Sequence, residues 1–155
     1  MSKGNLYVAV GLPGSGKTTW IDNHPYIYWH SSDEVRERIL GDVNEQRYNK
    51  IVFYNLHEEI KRDLELGRSC YYDATNLTAK LREDIVRKFR PHSNQIFAIY
   101  FNEPVEVCKE RNSKRKRVVP AEVIDKMARK LEPPELKEGF DEIFYLNPLD
   151  KLPKV

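Results

Sequence analysis

The chain has 155 residues, 40% of them hydrophobic and 32% charged, with a formal net charge of +2. That length sets a single domain over residues 1–155 with one continuous core, and the composition is that of a soluble globular protein with a heavily charged surface. So small a net charge excludes bulk electrostatic adhesion to nucleic acid as an argument, while leaving room for a local basic groove.

The predicted elements start at once. Leu6-Tyr7-Val8-Ala9-Val10 is a short apolar run bounded by Asn5 and Gly11, the pattern of a buried parallel strand. Gly11-Leu12-Pro13-Gly14-Ser15-Gly16-Lys17-Thr18 follows, and Thr18-Thr19-Trp20-Ile21 continues as a helix ending near Asn23-His24-Pro25. Residues 26–30 have the aromatic and β-branched content of a second strand. Ser31-Ser32-Asp33-Glu34 reads as a cap and first turn, with Val35, Ile39 and Leu40 forming an apolar stripe down to Gly41. From Asn44 to Leu66, Ile51, Val52, Leu56, Ile60 and Leu64 recur at helical spacing before Gly67. Residues 69–73 form a strand ending in Asp73, and Asn76-Leu77-Thr78 caps a helix carrying Leu81, Ile85, Val86 and Phe89 that Pro91 terminates. Gln95 to Phe101 is a further strand. Pro104 opens a helix that runs into the basic stretch 109–117, and Pro120 opens another in which Val123, Ile124, Met127 and Leu131 share a face. Residues 142–146 make a last strand, and the tail from Pro148 is irregular.

Strands alternating with helices indicate an α/β fold, a central parallel sheet covered on both faces in three α/β/α layers. Right-handed crossovers gather the strand C-termini along one edge, so 11–18, Asp33 and Asp73 are expected to converge. The N-terminus passes directly into the first strand, leaving no room for a signal peptide. No apolar run reaches the roughly 18 residues of a membrane span, so a cytoplasmic protein without membrane contact is expected. Cys70 and Cys108 have no C-x-x-C spacing and are expected as free thiols.

The chemistry centres on residues 11–18, which fit the G-x-x-x-x-G-K-[ST] phosphate-loop (P-loop) pattern at every fixed position. Without a Cβ, Gly11, Gly14 and Gly16 let successive N–H groups curl around phosphate oxygens, with Pro13, Ser15 and Thr19 completing the nucleotide contact set. Lys17 is expected on the β/γ-phosphates of ATP and Thr18 on Mg2+, with the helix dipole adding positive potential. Asp73, at a strand end, is a candidate second Mg2+ ligand near Thr18, or else a turn cap. Asp33 is a candidate general base for phosphoryl transfer to a hydroxyl; alternatively it, or Ser32, caps the following helix. Six Lys or Arg residues occupy 109–117. Such a run is commonly a solvated face, but between two helices of a phosphate-loop fold it suits a mobile helical lid, with Arg111 and Arg115 at i,i+4 on one helix face as the donor-phosphate arginines. His24, His30, His57 and His92 show no ligand spacing. The aromatics around Trp20, Trp29, Tyr48 and Tyr54 are core residues first and base-stacking candidates second.

Gly-Leu-Pro-Gly-Ser-Gly-Lys-Thr-Thr-Trp at 11–20, Ser-Asp-Glu-Val-Arg at 32–36, Asp-Ala-Thr-Asn-Leu at 73–77, and Arg-Asn-Ser-Lys-Arg at 111–115 followed by Val-Pro at 119–120 resemble the bacteriophage polynucleotide 5′-kinase family. The resemblance runs from the first strand to about Met127. It implies a P-loop NTPase fold and transfer of the ATP γ-phosphate to a 5′-hydroxyl of DNA or RNA. Asp33 then resembles the base, Arg36 the residue gripping the acceptor's nearby phosphate, Arg115 the lid arginine, and Asp73 the strand-end aspartate lining the acceptor side. No Asp-x-Asp motif follows, so a 3′-phosphatase activity is not expected. The rivals are a kinase of the same fold acting on a small metabolite, a nucleoside or a modified base in DNA, and an ATP-sensing module. A guanine-reading Asn-Lys-x-Asp is missing, since Asn147-Pro148-Leu149-Asp150 has Pro where Lys is needed.

Overall fold

The computed structural model describes residues 2–43 and 45–146, so the expected start of the long helix at Asn44 and the tail from Asn147 lie outside the described residues. The strands β1 (Leu6–Val10), β2 (Tyr28–Ser31), β3 (Cys70–Asp73), β4 (Ile96–Tyr100) and β5 (Glu142–Tyr145) form one all-parallel sheet in the order β2-β3-β1-β4-β5. Parallel neighbours need crossover segments, supplied here by α1 (Lys17–Asp22), α2 (Ser32–Leu40), α3 (Asn49–Glu65), α4 (Ala79–Phe89), α5 (Val105–Ser113) and α6 (Ala121–Lys130). This is the α/β fold of P-loop kinases.

One face of the sheet carries the larger core. Leu6, Val8, Cys70, Tyr72, Ile96 and Ala98 meet Val52, Leu56, Ile60 and Leu64 of α3 and Ile85, Val86 and Phe89 of α4. Each of those four α3 side chains is fully buried and contributes about 1.5–3 kcal/mol by leaving water. The other face is thinner: Ala9, Tyr71, Ile99 and Phe101 pack with Ile21 and Trp20 from the short α1. A third cluster joins Leu12 of the phosphate loop to Cys108 on α5 and Ile124 on α6, so the lid helices are anchored directly on the loop.

Several sequence expectations shift at this level. Ser31, not Ser32 or Asp33, caps α2, its hydroxyl accepting from the Glu34 N–H at 3.3 Å, and Asp33 is thereby free for another role. Ile39, Ile51, Leu81 and Val123 fit the helical periodicity but are solvent-exposed, because each stands at the rim of its apolar stripe. Beside Leu81, Arg82 is fully buried instead: Nε and Nη2 donate to Glu138 at 2.7 and 3.0 Å, Nη1 to the Asn76 carbonyl and Nη2 to the Glu132 carbonyl. Glu138 closes a short 3-10 turn, Leu136–Glu138, whose reciprocal cap with Glu135 no spacing had indicated.

The register decides where function sits. Ser31 lies opposite Asp73 and Val10 opposite Tyr100, so the segments leaving these strands depart from one edge. β3 and β4 flank β1 on either side, and the chain reverses its direction of winding there, the place where open parallel sheets hold ligands.

Candidate phosphate-transfer site

The loop after β1 is held open by backbone geometry. Gly14 has φ 83°, and a Cβ there would collide with the Cys108 carbonyl of α5; Gly16, with φ 106°, is the left-handed residue that turns the chain into α1. The Gly11 N–H donates to the Thr75 carbonyl at 3.1 Å, while the Asn76 amide reaches the Ala9 carbonyl at 2.7 Å. Asn76 itself adopts φ 47°, so the segment after β3 braces the segment after β1. At six residues α1 is short, and the loop's N–H groups and Lys17, rather than a long helix dipole, supply most of the positive character.

Lys17 curls over its own loop, its Nζ donating to the Gly11 and Leu12 carbonyls at 3.1 and 2.9 Å. Phosphate oxygens would replace those carbonyls as acceptors, and the buried Ser15 hydroxyl, which has no partner among the described residues, offers a further donor. Burial lowers the Lys17 pKa; Asp73 opposes that shift, Arg115 adds to it and Asp33 opposes it again. Asp73 is moved the other way. Burial raises its pKa, and Lys17 and then the Trp29 indole N–H, 3.0 Å from Oδ2, pull it back. The enclosed Asp73 carboxylate, whose charge burial disfavours, and the exposed Thr18 hydroxyl are hard oxygen donors of the kind a divalent cation such as Mg2+ takes.

Asp33 stands on the first turn of α2, and its carboxylate is half-exposed. Arg36 Nη1 donates to Oδ1 at 2.8 Å and Arg117 Nη1 to Oδ2 at 2.6 Å; Arg36 Nη2 also reaches Asn49 Oδ1 at 3.0 Å. Asp33, Asp73, Lys17 and Arg115 are therefore electrostatic neighbours, as the strand order implied. Arg111 is not one of this group: its Nη2 is 3.9 Å from Glu103, in the segment that precedes α5.

The lid departs from the expected single helix face. α5 ends at Ser113, so Arg115 stands in the turn beyond it and does not share a helical face with Arg111. That turn is clipped shut by Asn112, whose side chain donates to the Val119 carbonyl at 2.6 Å and accepts from the Val119 N–H at 3.1 Å. Lys109 adds a bridge to Asp125 on α6. Arg117, Trp29 and Asn49 are the contributors that spacing did not single out; each acts through a partner distant in sequence, and only the basic run itself hinted at Arg117.

Thr18 also borders a cavity of about 320 Å3 lined by Ile21, Asp22, His24, Pro25, Ile27 and Trp29. A larger concavity of about 550 Å3, between Lys3, Glu58, Lys61 and His92, lies beside the starts of β1 and β4, away from this chemistry. The histidines are tied into structure, His30 to Asp63 at 2.8 Å and His57 to Tyr72 at 2.7 Å. Ligand atoms of His30, Asp63 and Cys70 come within 4.8 Å of one another, but Asp63 is already held by His30 and Arg68. Cys70 and Cys108 are free and buried. Among the described residues no helix is long and apolar enough to cross a membrane.

Residues 6–134 match the family model AAA_33, described as an AAA domain. The chain is 27% identical over 149 residues to transcription factor bHLH140 of Arabidopsis thaliana, covering 90% of this chain and 16% of that protein. It is 27% identical over 144 residues to an L-seryl-tRNA(Sec) kinase of Methanococcus maripaludis, covering 88% of this chain and 56% of the kinase. This chain therefore spans a small part of one curated relative and just over half of the other. Among solved structures, a chain of the Pnkp1/Rnl/Hen1 RNA repair complex superposes with a TM-score of 0.76 at 22% identity, over 84% of this chain and 45% of that one. A gluconokinase from Sinorhizobium meliloti 1021 superposes with a TM-score of 0.58 at 15% identity, over 97% and 88%. At these identities the structural likeness defines the fold alone.

Proposed function

From the premise that this chain belongs to the AAA_33 family of AAA domains, we propose that it is an ATP- and Mg2+-dependent kinase acting on the 5′-hydroxyl end of DNA or RNA. The observation that carries the reading is Asp33, a half-exposed carboxylate beyond the phosphate loop, gripped by two arginines at the edge where the strands end. In the transfer the 5′ oxygen attacks the γ-phosphorus, the bond from that phosphorus to the β–γ bridging oxygen breaks, ADP leaves, and Asp33 accepts the hydroxyl proton. Lys17 and the loop N–H groups hold the donor phosphates, and Arg115 neutralises them from the side of the turn after α5. Arg36, one turn along α2 from Asp33, grips the phosphate nearest the acceptor hydroxyl. Thr18 and Asp73, the latter fixed by Trp29, would hold Mg2+, which would supply positive charge to the donor phosphates when bound.

The names of the similar proteins include an RNA repair complex, a seryl-tRNA kinase and a gluconokinase, so family and fold leave the acceptor open. Paired arginines beside the base favour an acceptor that carries phosphate. Incubation with γ-labelled ATP and a 5′-hydroxyl oligonucleotide, a mixture of nucleosides and small hydroxylated metabolites, or no acceptor, tests the assignment. Label is expected on the oligonucleotide end. Label confined to small molecules assigns a metabolite or nucleoside kinase instead, and ATP binding without any labelled product assigns an ATP-sensing module.

A further inference from the structure

Both arginines around Asp33 leave part of their forks unused. Arg36 commits Nη1 to Asp33 and Nη2 to Asn49, Arg117 commits Nη1 to Asp33, and in each the Nε–H is buried without a partner among the described residues. A buried donor left unpaired costs about 1–3 kcal/mol, so two in one ion cluster mark a place arranged for a further acceptor. Charge points the same way, since two guanidiniums face one carboxylate there. Arg117 is also delivered on purpose-built backbone: the Asn112–Val119 clip closes the turn that bears it, and Ile124 and Cys108 seat that turn's helices on Leu12.

We propose that Arg117 is an acceptor-recognition residue. In the free protein it sits on Asp33. When an acceptor enters, Arg117 yields the carboxylate to the incoming hydroxyl and, beside Arg36, takes the phosphate linked 3′ to the hydroxyl-bearing nucleoside. A phosphate-bearing end thus exchanges one charged pair for another, whereas a plain nucleoside must break the Arg117–Asp33 pair and offer nothing in return. The device selects nucleic-acid ends over free nucleosides by differential affinity. Geometry favours arginine for this, since a planar fork serves both a carboxylate and a phosphate in two-point fashion. The inference rests on the phosphate-bearing acceptor proposed above.

The test compares wild type, Arg117→Ala and Arg117→Lys, at saturating ATP for acceptor KM and at saturating oligonucleotide for the KM of ATP, with three acceptors: a 5′-hydroxyl oligonucleotide, a nucleoside 3′-monophosphate and the matching nucleoside. Arg117→Ala is expected to raise KM for both phosphate-bearing acceptors by about 10- to 100-fold, the loss of a charge-assisted hydrogen bond, and to lower KM for the nucleoside. Arg117→Lys, which keeps the charge without the fork, should fall between, and KM for ATP should not move. Equal shifts for all three acceptors, no shift, or a shift in the KM of ATP alone would overturn the role. A wild-type enzyme that does not distinguish the nucleoside from its 3′-monophosphate overturns the phosphate-bearing acceptor and this inference together. A discriminating wild type whose discrimination is undiminished in Arg117→Ala overturns this inference only.

Discussion

Of the arginine–carboxylate pairs that join distant parts of this chain, Arg82–Glu138 and Arg117–Asp33 are built to opposite specifications. Arg82–Glu138 is sealed, with side chains 0% and 1% exposed, and Arg82 also bonds two backbone carbonyls while Glu138 also accepts a backbone N–H. Asp33–Arg117 is 44% and 29% exposed, shares its carboxylate with Arg36, and leaves buried Nε–H donors unpaired among the described residues. Saturation marks the first as architecture: it fastens the chain around 132–138 to α4. Incompleteness marks the second as a place for a ligand. Both are built on an arginine meeting a carboxylate, and the discriminating property is how many of each group's hydrogen bonds the fold itself satisfies.

The contrast is broken if the open pair proves structural or the closed one catalytic. Asp33→Asn should reduce phosphate transfer by about 10²- to 10⁴-fold, the usual worth of a positioned base, while ATP affinity measured by titration calorimetry stays as in wild type. Near-normal transfer in that variant would remove the base assignment. Arg82→Met leaves the Glu138 carboxylate buried and unpaired and should destabilise the fold by about 3–5 kcal/mol in urea titration, without changing KM for ATP in the protein that remains folded. A loss below about 1 kcal/mol, the scale of exposed pairs, would put Arg82 in the same class as the surface ions.

The smallest expected effect is one of pH. Burial holds His57 down to about 4, and Lys88 beside it pushes the same way. Unfolded, the ring returns to about 6.5, so between those values the unfolded chain takes up a proton that the folded one refuses. Stability is therefore full above pH 6.5 and declines as pH falls towards 4, by roughly 2 kcal/mol after allowance for the ring's partial exposure. Denaturant melts at pH 7 and 4.5 should show a shallower decline for His57→Gln; parallel declines would mean that His57 does not carry it.

What the sequence made legible follows the same division. The phosphate loop is local: strand, glycines, lysine and threonine lie within one stretch, and its surroundings matched expectation from Leu6 to Asp22. Asp33 and Asp73 could be brought together because a parallel sheet collects strand ends, and Ser31 opposite Asp73 is that rule at work. Which arginine would meet Asp33 was not legible. It depends on where α5 stops and on the Asn112 clip, both set by contacts across the chain. Arg82 was unreadable for a related reason, since a charged residue on an inward helical position makes sense only once Glu138 is known to face it.

The central claim is that the open cluster serves a phosphate-bearing 5′-hydroxyl end. It is tested most directly by kcat/KM, under one ATP concentration, for a 5′-hydroxyl oligonucleotide against the nucleoside that begins it. The account predicts a preference for the oligonucleotide of about tenfold or more, the least that one charge-assisted contact to phosphate supplies. A ratio at or below unity would contradict it.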